Sequence, residues 1–316
     1  MTIAVGTSAT LRAPASSANL GPGFDCVGIA LGIWDEAVAT VTDEPGLVIE
    51  VSGSGADVVP RDASHLVVRT MSTTFAHLGV PVPTGLHLSA TNAVRHGRGL
   101  GSSATAIVMG VALAQALYAR GGPGGDGAGD GLDLEFINDL ACTLEGHPDN
   151  ASASVFGGAT LSVTEPGDPL PTTRTVPLRL HPAITPVVLV PESTLSTHTA
   201  RSVLPDVVPL GTAAANSART GLLVHALTTD PDLLLAGTSD LLHQEPRRPS
   251  YPQSMALVDA LRADGLAATI SGAGPSVLVL TTADRVAAVG EVAAGTDVTW
   301  QSLTPGVPER GVHLLR

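Results

Sequence analysis

The chain contains no lysine: all sixteen of its basic residues are arginine. A nucleotide-binding P-loop needs a lysine directly after its last glycine, so that motif is excluded throughout. Aromatic residues supply only 3% of the 316 positions, and the core must therefore be built from Val, Leu, Ile and Ala. The two cysteines, Cys26 and Cys142, lack metal-like spacing and are too few for a disulfide framework. Both are expected as reduced thiols of a cytoplasmic protein. A net charge of −13 argues against nucleic acid or an anionic membrane as partner. It leaves room for a local anion site made of a few arginines and backbone amides. No run of about eighteen apolar residues exists, so no membrane span is expected. The N-terminus lacks the basic-then-apolar pattern of a signal peptide.

What is present suits a protein with a sizeable core: 44% apolar and 14% charged residues. The length favours two domains over one. "ATLRAPAS", "EAVATVT", "GLVIEVSG" and "GLHLSATN" alternate as strands, with helical spacing in "HLVVRTMSTTFAHLG" between the last two. "SATAIVMGVALAQALYAR" reads as a buried helix starting near Ser102 or Ser103. A second helix spans 133–145, with Leu134, Ile137, Leu140, Ala141 and Leu144 on one stripe and Gly146 as its stop. Residues 121–131, glycine-rich and acidic, read as a surface linker. The Pro/Thr-rich stretch 165–175 is the candidate boundary, giving domains 1–168 and 169–316. Beyond it "ITPVVLVP" is a buried strand, and helices are expected at 211–228, 231–244 and 253–263. "AATISGAGPSVLVLT" follows as strand, glycine turn and strand. This order fits an α+β fold of two domains with mainly antiparallel sheets.

The chemistry concentrates in "HGRGLGSSATA", residues 96–106. Its glycines let the backbone approach an anion, and the following helix aims unpaired N–H groups and its positive dipole end at the same place. Ser102 and Ser103 add hydroxyls that can cap the helix, donate to phosphate or ligate Mg²⁺. Such a site needs no lysine. Taken alone, an ordinary capped helix after a glycine turn explains the segment equally well.

Three motifs in order weigh against that plain reading. Arg95 through Ala104 resembles the phosphate loop Pro-x-x-x-Gly-Leu-Gly-Ser-Ser-Ala of the GHMP kinases, with Arg95 in place of the proline. "PASSANLGPGFDCVG" (14–28) is similar to that family's N-terminal motif, and "SGAGPSV" (271–277) to its C-terminal glycine motif. "EGHPDNASASVFGG" (145–158), "STHTAR" (196–201) and "HQEPRRPSYP" (243–252) are most similar to the branch that phosphorylates L-homoserine for threonine biosynthesis. The resemblance covers nearly the whole chain. It implies an ATP-binding N-terminal domain like ribosomal protein S5 domain 2. It also implies a ferredoxin-like C-terminal domain contributing substrate residues, a cytoplasmic location and a homodimer.

It further implies site residues. ATP is expected along Arg95, His96, Gly97, Arg98, Gly99, Leu100, Gly101, Ser102, Ser103, Ala104 and Thr105, with His65 where the family commonly places an asparagine beside the adenine. Ser103 and Glu145 are the expected Mg²⁺ ligands, with Asp139 as a second candidate. The substrate would meet Asn19, Asp25, His147, Arg201, Arg247 and Gly274. Homoserine is a zwitterion with a free hydroxyl, so Arg201 and Arg247 suit its carboxylate and Asp25 its ammonium. His147 and Asn150 would hold the reacting hydroxyl. An aspartate at the Asn150 position is the base in mevalonate kinase relatives. Asparagine there implies a kinase without an obvious general base, with Asp149 as the alternative. Other readings stay open: a GHMP kinase for mevalonate or a sugar, or an idle nucleotide-binding protein. A serine hydrolase lacks its Gly-x-Ser-x-Gly elbow.

Overall fold

The computed structural model describes residues 2–122, 131–167 and 171–315. The first sheet contains β1 (Ser8–Asn19), β2 (Gly23–Val41), β3 (Gly46–Gly53), β4 (Gly85–Asn92), β5 (Ala159–Glu165), β6 (Thr172–Leu178) and the C-terminal His313–Leu314. Its centre is the long β2, which pairs with β1 along its whole length. Its far half pairs with β4 and its near half with β5. All pairs are antiparallel except β3 with β4. α1 (Leu66–His77), α2 (Ser102–Gly121), α3 (Leu134–Glu145) and α4 (Pro148–Phe156) pack with this sheet. Leu11, Leu88, Phe75, Val108 and Leu113, all fully buried, fill the layer between. The aliphatic, aromatic-poor composition therefore does build a core. By length and composition α2 could cross a membrane, but 67% of its most apolar stretch is buried inside the protein.

The second sheet is formed by β7 (Thr185–Pro191), β8 (Ala267–Ile270), β9 (Val277–Thr281) and β10 (Trp300–Leu303) in the order β10-β7-β9-β8, all antiparallel. α5 (Thr197–Arg201), α6 (Leu210–Thr228), α7 (Leu234–Gly237), α8 (Gln244–Arg247) and α9 (Pro252–Ala263) lie between β7 and β8 in sequence. α10 (Val286–Ala294) lies between β9 and β10. Helix-bearing crossovers around a central hairpin, with the fourth strand beside the first, make this the expected ferredoxin-like arrangement. A core cluster including Leu20, Leu100, Val188, Leu223 and Leu278 joins both halves.

Several local expectations change. The helix expected over 231–244 is broken into a 3₁₀ turn at Pro231–Leu233, α7 and α8. α7 stops at Gly237, and Asp240 then holds the turn before α8, its carboxylate accepting from the backbone N–H groups of Leu242, His243 and Gln244. Leu144 is 38% exposed and does not belong to the buried stripe of α3. After the stop at Gly146 the chain starts α4, whose first eight residues are all buried. The boundary expected at 168 falls outside the described residues, as does most of the 121–131 linker. β6 and His313–Leu314, both beyond that boundary, bond into the first sheet.

Candidate active site

The three glycine motifs meet where the two halves join. The β1–β2 turn runs through left-handed backbone at Asn19 (φ 71°), Leu20 (φ 48°) and Gly21 (φ 89°). Gly21 is required there, because a Cβ would sit 2.3 Å from the Thr238 carbonyl oxygen. Asn19 Nδ2 donates to the Gly272 carbonyl at 3.0 Å, and its Oδ1 accepts the Asp25 N–H at 3.1 Å. The Ser271 hydroxyl donates to the Gly99 carbonyl and lies 2.8 Å from Ser17 Oγ, while Ser16 N–H bonds the Leu100 carbonyl. A Cβ on Gly99 (φ 71°) would lie 2.3 Å from the Ser271 carbonyl oxygen. Gly99→Ala should therefore destabilise the protein by about 2 kcal/mol or more, through left-handed strain plus overlap with fixed backbone. Denaturant unfolding of the variant measures this directly.

The joined motifs enclose a cavity of about 160 Å³ lined by residues of both halves. Two helices start at its wall. α2 begins at Ser102 after Gly101 (φ 70°) with no side-chain cap, so neither serine hydroxyl serves as the cap that the plain reading required. α4 begins at Pro148, where proline presets the helical φ. Two helix N-termini thus lie at one space. This is how a chain without lysine can build an anion site.

The Ser103 hydroxyl donates to Glu145 Oε1 at 2.5 Å. Burial pushes the Glu145 carboxyl above its usual range, while the Ser103 bond and the charge of His147 pull it back. His147 Nδ1 lies 3.1 Å from Asp149 Oδ1, and its Nε2 is 3.9 Å from Glu145. Burial alone would lower the imidazole pKa, but the bond and charge of Asp149, joined by Glu145, outweigh it and leave it raised. Asp149 is 1% exposed and also accepts the Asn150 N–H at 2.8 Å. Asn150 Oδ1 accepts from the Ser16 hydroxyl at 3.0 Å.

Opposite this group stand the charges of the second half. Arg201 forms a two-pronged ion pair with Asp25. Arg247, only 1% exposed, donates from Nε to the Ala200 carbonyl at 2.8 Å and lies 3.1 Å from His243 Nδ1. Phe24 sits between the two arginines, its ring centre 5.5 Å from each guanidinium carbon.

Among the residues expected from sequence, Asn19, Gly97, Gly99–Ser103, Glu145, His147, Asn150, Arg201, Arg247 and Gly274 line this cavity. Asp25 reaches it through Arg201. Ala104 and Thr105 are wholly buried; the Thr105 hydroxyl is spent on the Pro14 and Gly101 carbonyls. Arg95, His96 and Arg98 line a neighbouring groove with Glu192 instead. Asp139 is turned away from the cavity, accepting the Thr173 N–H at 2.7 Å. Sequence reasoning missed Phe24 and His243, although both stood within the quoted motifs, and it missed the bond between Asp149 and His147.

Two helix N-termini, a hydroxyl–carboxylate pair and a glycine-lined cleft are features that a phosphoryl-transfer site requires. The chain belongs to the GHMP kinase family: the family's N-terminal domain model matches residues 65–158 and its C-terminal model residues 223–294. It is 47% identical over 305 residues to the homoserine kinase of Streptomyces coelicolor, covering 96% of this chain and 94% of that one. The homoserine kinase of Mycolicibacterium paratuberculosis is 44% identical, with 96% of each chain covered. A homoserine kinase structure from Cytophaga hutchinsonii superposes with a TM-score of 0.81 at 24% identity, over 100% of this chain and 99% of that one.

Proposed function

We propose that the chain transfers the γ-phosphoryl group of ATP to the side-chain hydroxyl of L-homoserine at this cavity. Near-full-length relatives that are homoserine kinases and the GHMP kinase fold make it an ATP-dependent homoserine kinase of threonine biosynthesis. The observation that carries the placement is one cavity bounded by two helix N-termini on one side and by opposite fixed charges on the other.

The residue roles follow from that geometry. The open first turn of α2 and the Gly99–Gly101 backbone hold the triphosphate. Ser103 and Glu145 offer adjacent hard oxygens, and the burial that raises Glu145 would be relieved by a cation. The chemistry of the donor set thus fits Mg²⁺, which when bound neutralises the β/γ oxygens. Asp25, His147 and Asp149 also lie close enough to share a metal ion, but Arg201 already neutralises Asp25. The Asp25–Arg201 pair closes on itself; the substrate ammonium would take Asp25 while the carboxylate takes Arg201 and Arg247. One ion pair is then exchanged for two, and Arg247 adds a second cation beside the substrate carboxylate. His147, held by Asp149, and Asn150, held by Ser16, orient the hydroxyl. Cytoplasmic location and a homodimer complete the reading, and sedimentation of the purified chain tests the latter.

Removing the ammonium tests the assignment. ADP release should be supported by homoserine, and 4-hydroxybutyrate should be poorer by about two orders of magnitude or more in kcat/KM. A desolvated charge left without its partner costs roughly 2–5 kcal/mol. Equal turnover of both compounds would refute the role of Asp25.

A further inference from the structure

Arg247 ends the short α8, and His243 stands just before that helix, one turn away on the same side. The His243 ring is wholly buried and stacks on Phe24, with ring centres 5.1 Å apart. Its Nδ1 lies 3.1 Å from Arg247 Nη1, and its Nε2 lies 2.9 Å from the Gly21 carbonyl oxygen. An arginine can only donate, so Nδ1 must present its lone pair. The ring proton therefore sits on Nε2 and is donated to Gly21. Asp240 Oδ1 lies 3.6 Å from the same Nε2. Burial lowers the His243 pKa against the pull of Asp240, and the ring is neutral.

Arg247, 1% exposed, bonds neutral partners, the Ala200 carbonyl and His243, where Arg201 bonds the Asp25 carboxylate. A buried guanidinium held by neutral acceptors keeps its charge for an incoming anion, and those acceptors set its direction. We propose that His243 is a positioning residue: through Nδ1 it fixes the Arg247 fork for the substrate carboxylate. This rests on the reading that Arg247 binds that carboxylate. The Gly21 bond selects the tautomer. With the proton on Nδ1 instead, two donors would face each other and the guanidinium would have to swing away. Gly21 also belongs to the β1–β2 turn, where Asn19 accepts the Asp25 N–H. Both ends of the zwitterion are thus set from one scaffold.

Two substitutions divide the functions of the ring. In His243→Asn the amide oxygen can stand where Nδ1 stood and accept from Arg247. In His243→Gln the amide reaches the place of Nε2 and can keep the Gly21 bond, but nothing there accepts from Arg247. Both lose the ring stacked on Phe24, so lost packing affects them alike. Turnover is measured with homoserine and with 3-aminopropan-1-ol, which is homoserine without its carboxylate. The unaltered chain should prefer homoserine by about a hundredfold or more in kcat/KM. His243→Gln should raise the homoserine KM by about tenfold or more, leave the nucleotide KM within about twofold, and narrow the preference accordingly. His243→Asn should recover most of that preference. A His243→Gln protein that keeps the full preference would overturn the proposal, as would a His243→Asn protein equally impaired. Nitrogen-15 NMR of the unaltered chain needs no variant: His243 should show a neutral ring protonated on Nε2 at neutral pH. An imidazolium, or a ring protonated on Nδ1, would overturn the proposal by itself. Equal turnover of the two alcohols by the unaltered chain would instead overturn the carboxylate role of Arg247 beneath it.

Discussion

Replacing Glu145 by glutamine should lower kcat by about three orders of magnitude and raise the Mg²⁺ concentration needed for half-maximal rate. The transfer draws its acceleration from positioning and charge neutralisation, and one preorganised electrostatic contact is worth roughly 10²–10³ in rate. Glutamine has the same shape, and its oxygen can still accept the Ser103 hydroxyl now donated to Glu145 Oε1. Fold and ATP affinity in the absence of metal should therefore persist. Stability should hold or rise, because burial penalises the ionised glutamate. Asp139→Asn is the control: its oxygen serves the Thr173 N–H, so it should cost about 1 kcal/mol of stability at most and leave kcat intact. Magnesium titrations of the three proteins decide the matter. A severe Asp139→Asn defect beside a mild Glu145→Gln one would move the metal site.

Asn150→Ala should reduce kcat by about a hundredfold or more, whereas Asp149→Asn should keep most of the activity. A loose transition state does not demand early deprotonation of the alcohol, and an asparagine can orient but not accept a proton. Asp149 is held by His147 at 3.1 Å and by the Asn150 N–H at 2.8 Å, both on Oδ1. An asparagine oxygen can receive both bonds, so Asp149→Asn removes the basicity while sparing the geometry. Asn150→Ala instead deletes the group that the Ser16 hydroxyl fixes at 3.0 Å. Single-turnover rates at saturating ATP and homoserine compare the two. If Asp149→Asn proved as slow as Asn150→Ala while binding ATP normally, Asp149 would be the base and catalysis by alignment would be abandoned.

The glycine motifs, the start of α2 at the two serines and the glutamate ending α3 were legible in the sequence, because each is set by residues a few positions apart. Left-handed backbone asks for glycine, and a helix stop asks for one at 146, whose φ is 86°. α4 was not legible. With its first eight residues all buried, it has no amphipathic stripe, and Pro148 at its first turn was the remaining signal. The helix expected over 231–244 had acceptable spacing, but periodicity does not register a turn such as the one that the Asp240 carboxylate holds between α7 and α8. Sequence alone determined the family, the fold class and the inventory of charges. Tertiary structure decided which of those charges meet. Arg201 finds Asp25 across 176 residues, and Asp139 turns to a strand. Backbone propensity is local and can be read along the chain, whereas a buried ion's partner is chosen by packing between distant segments.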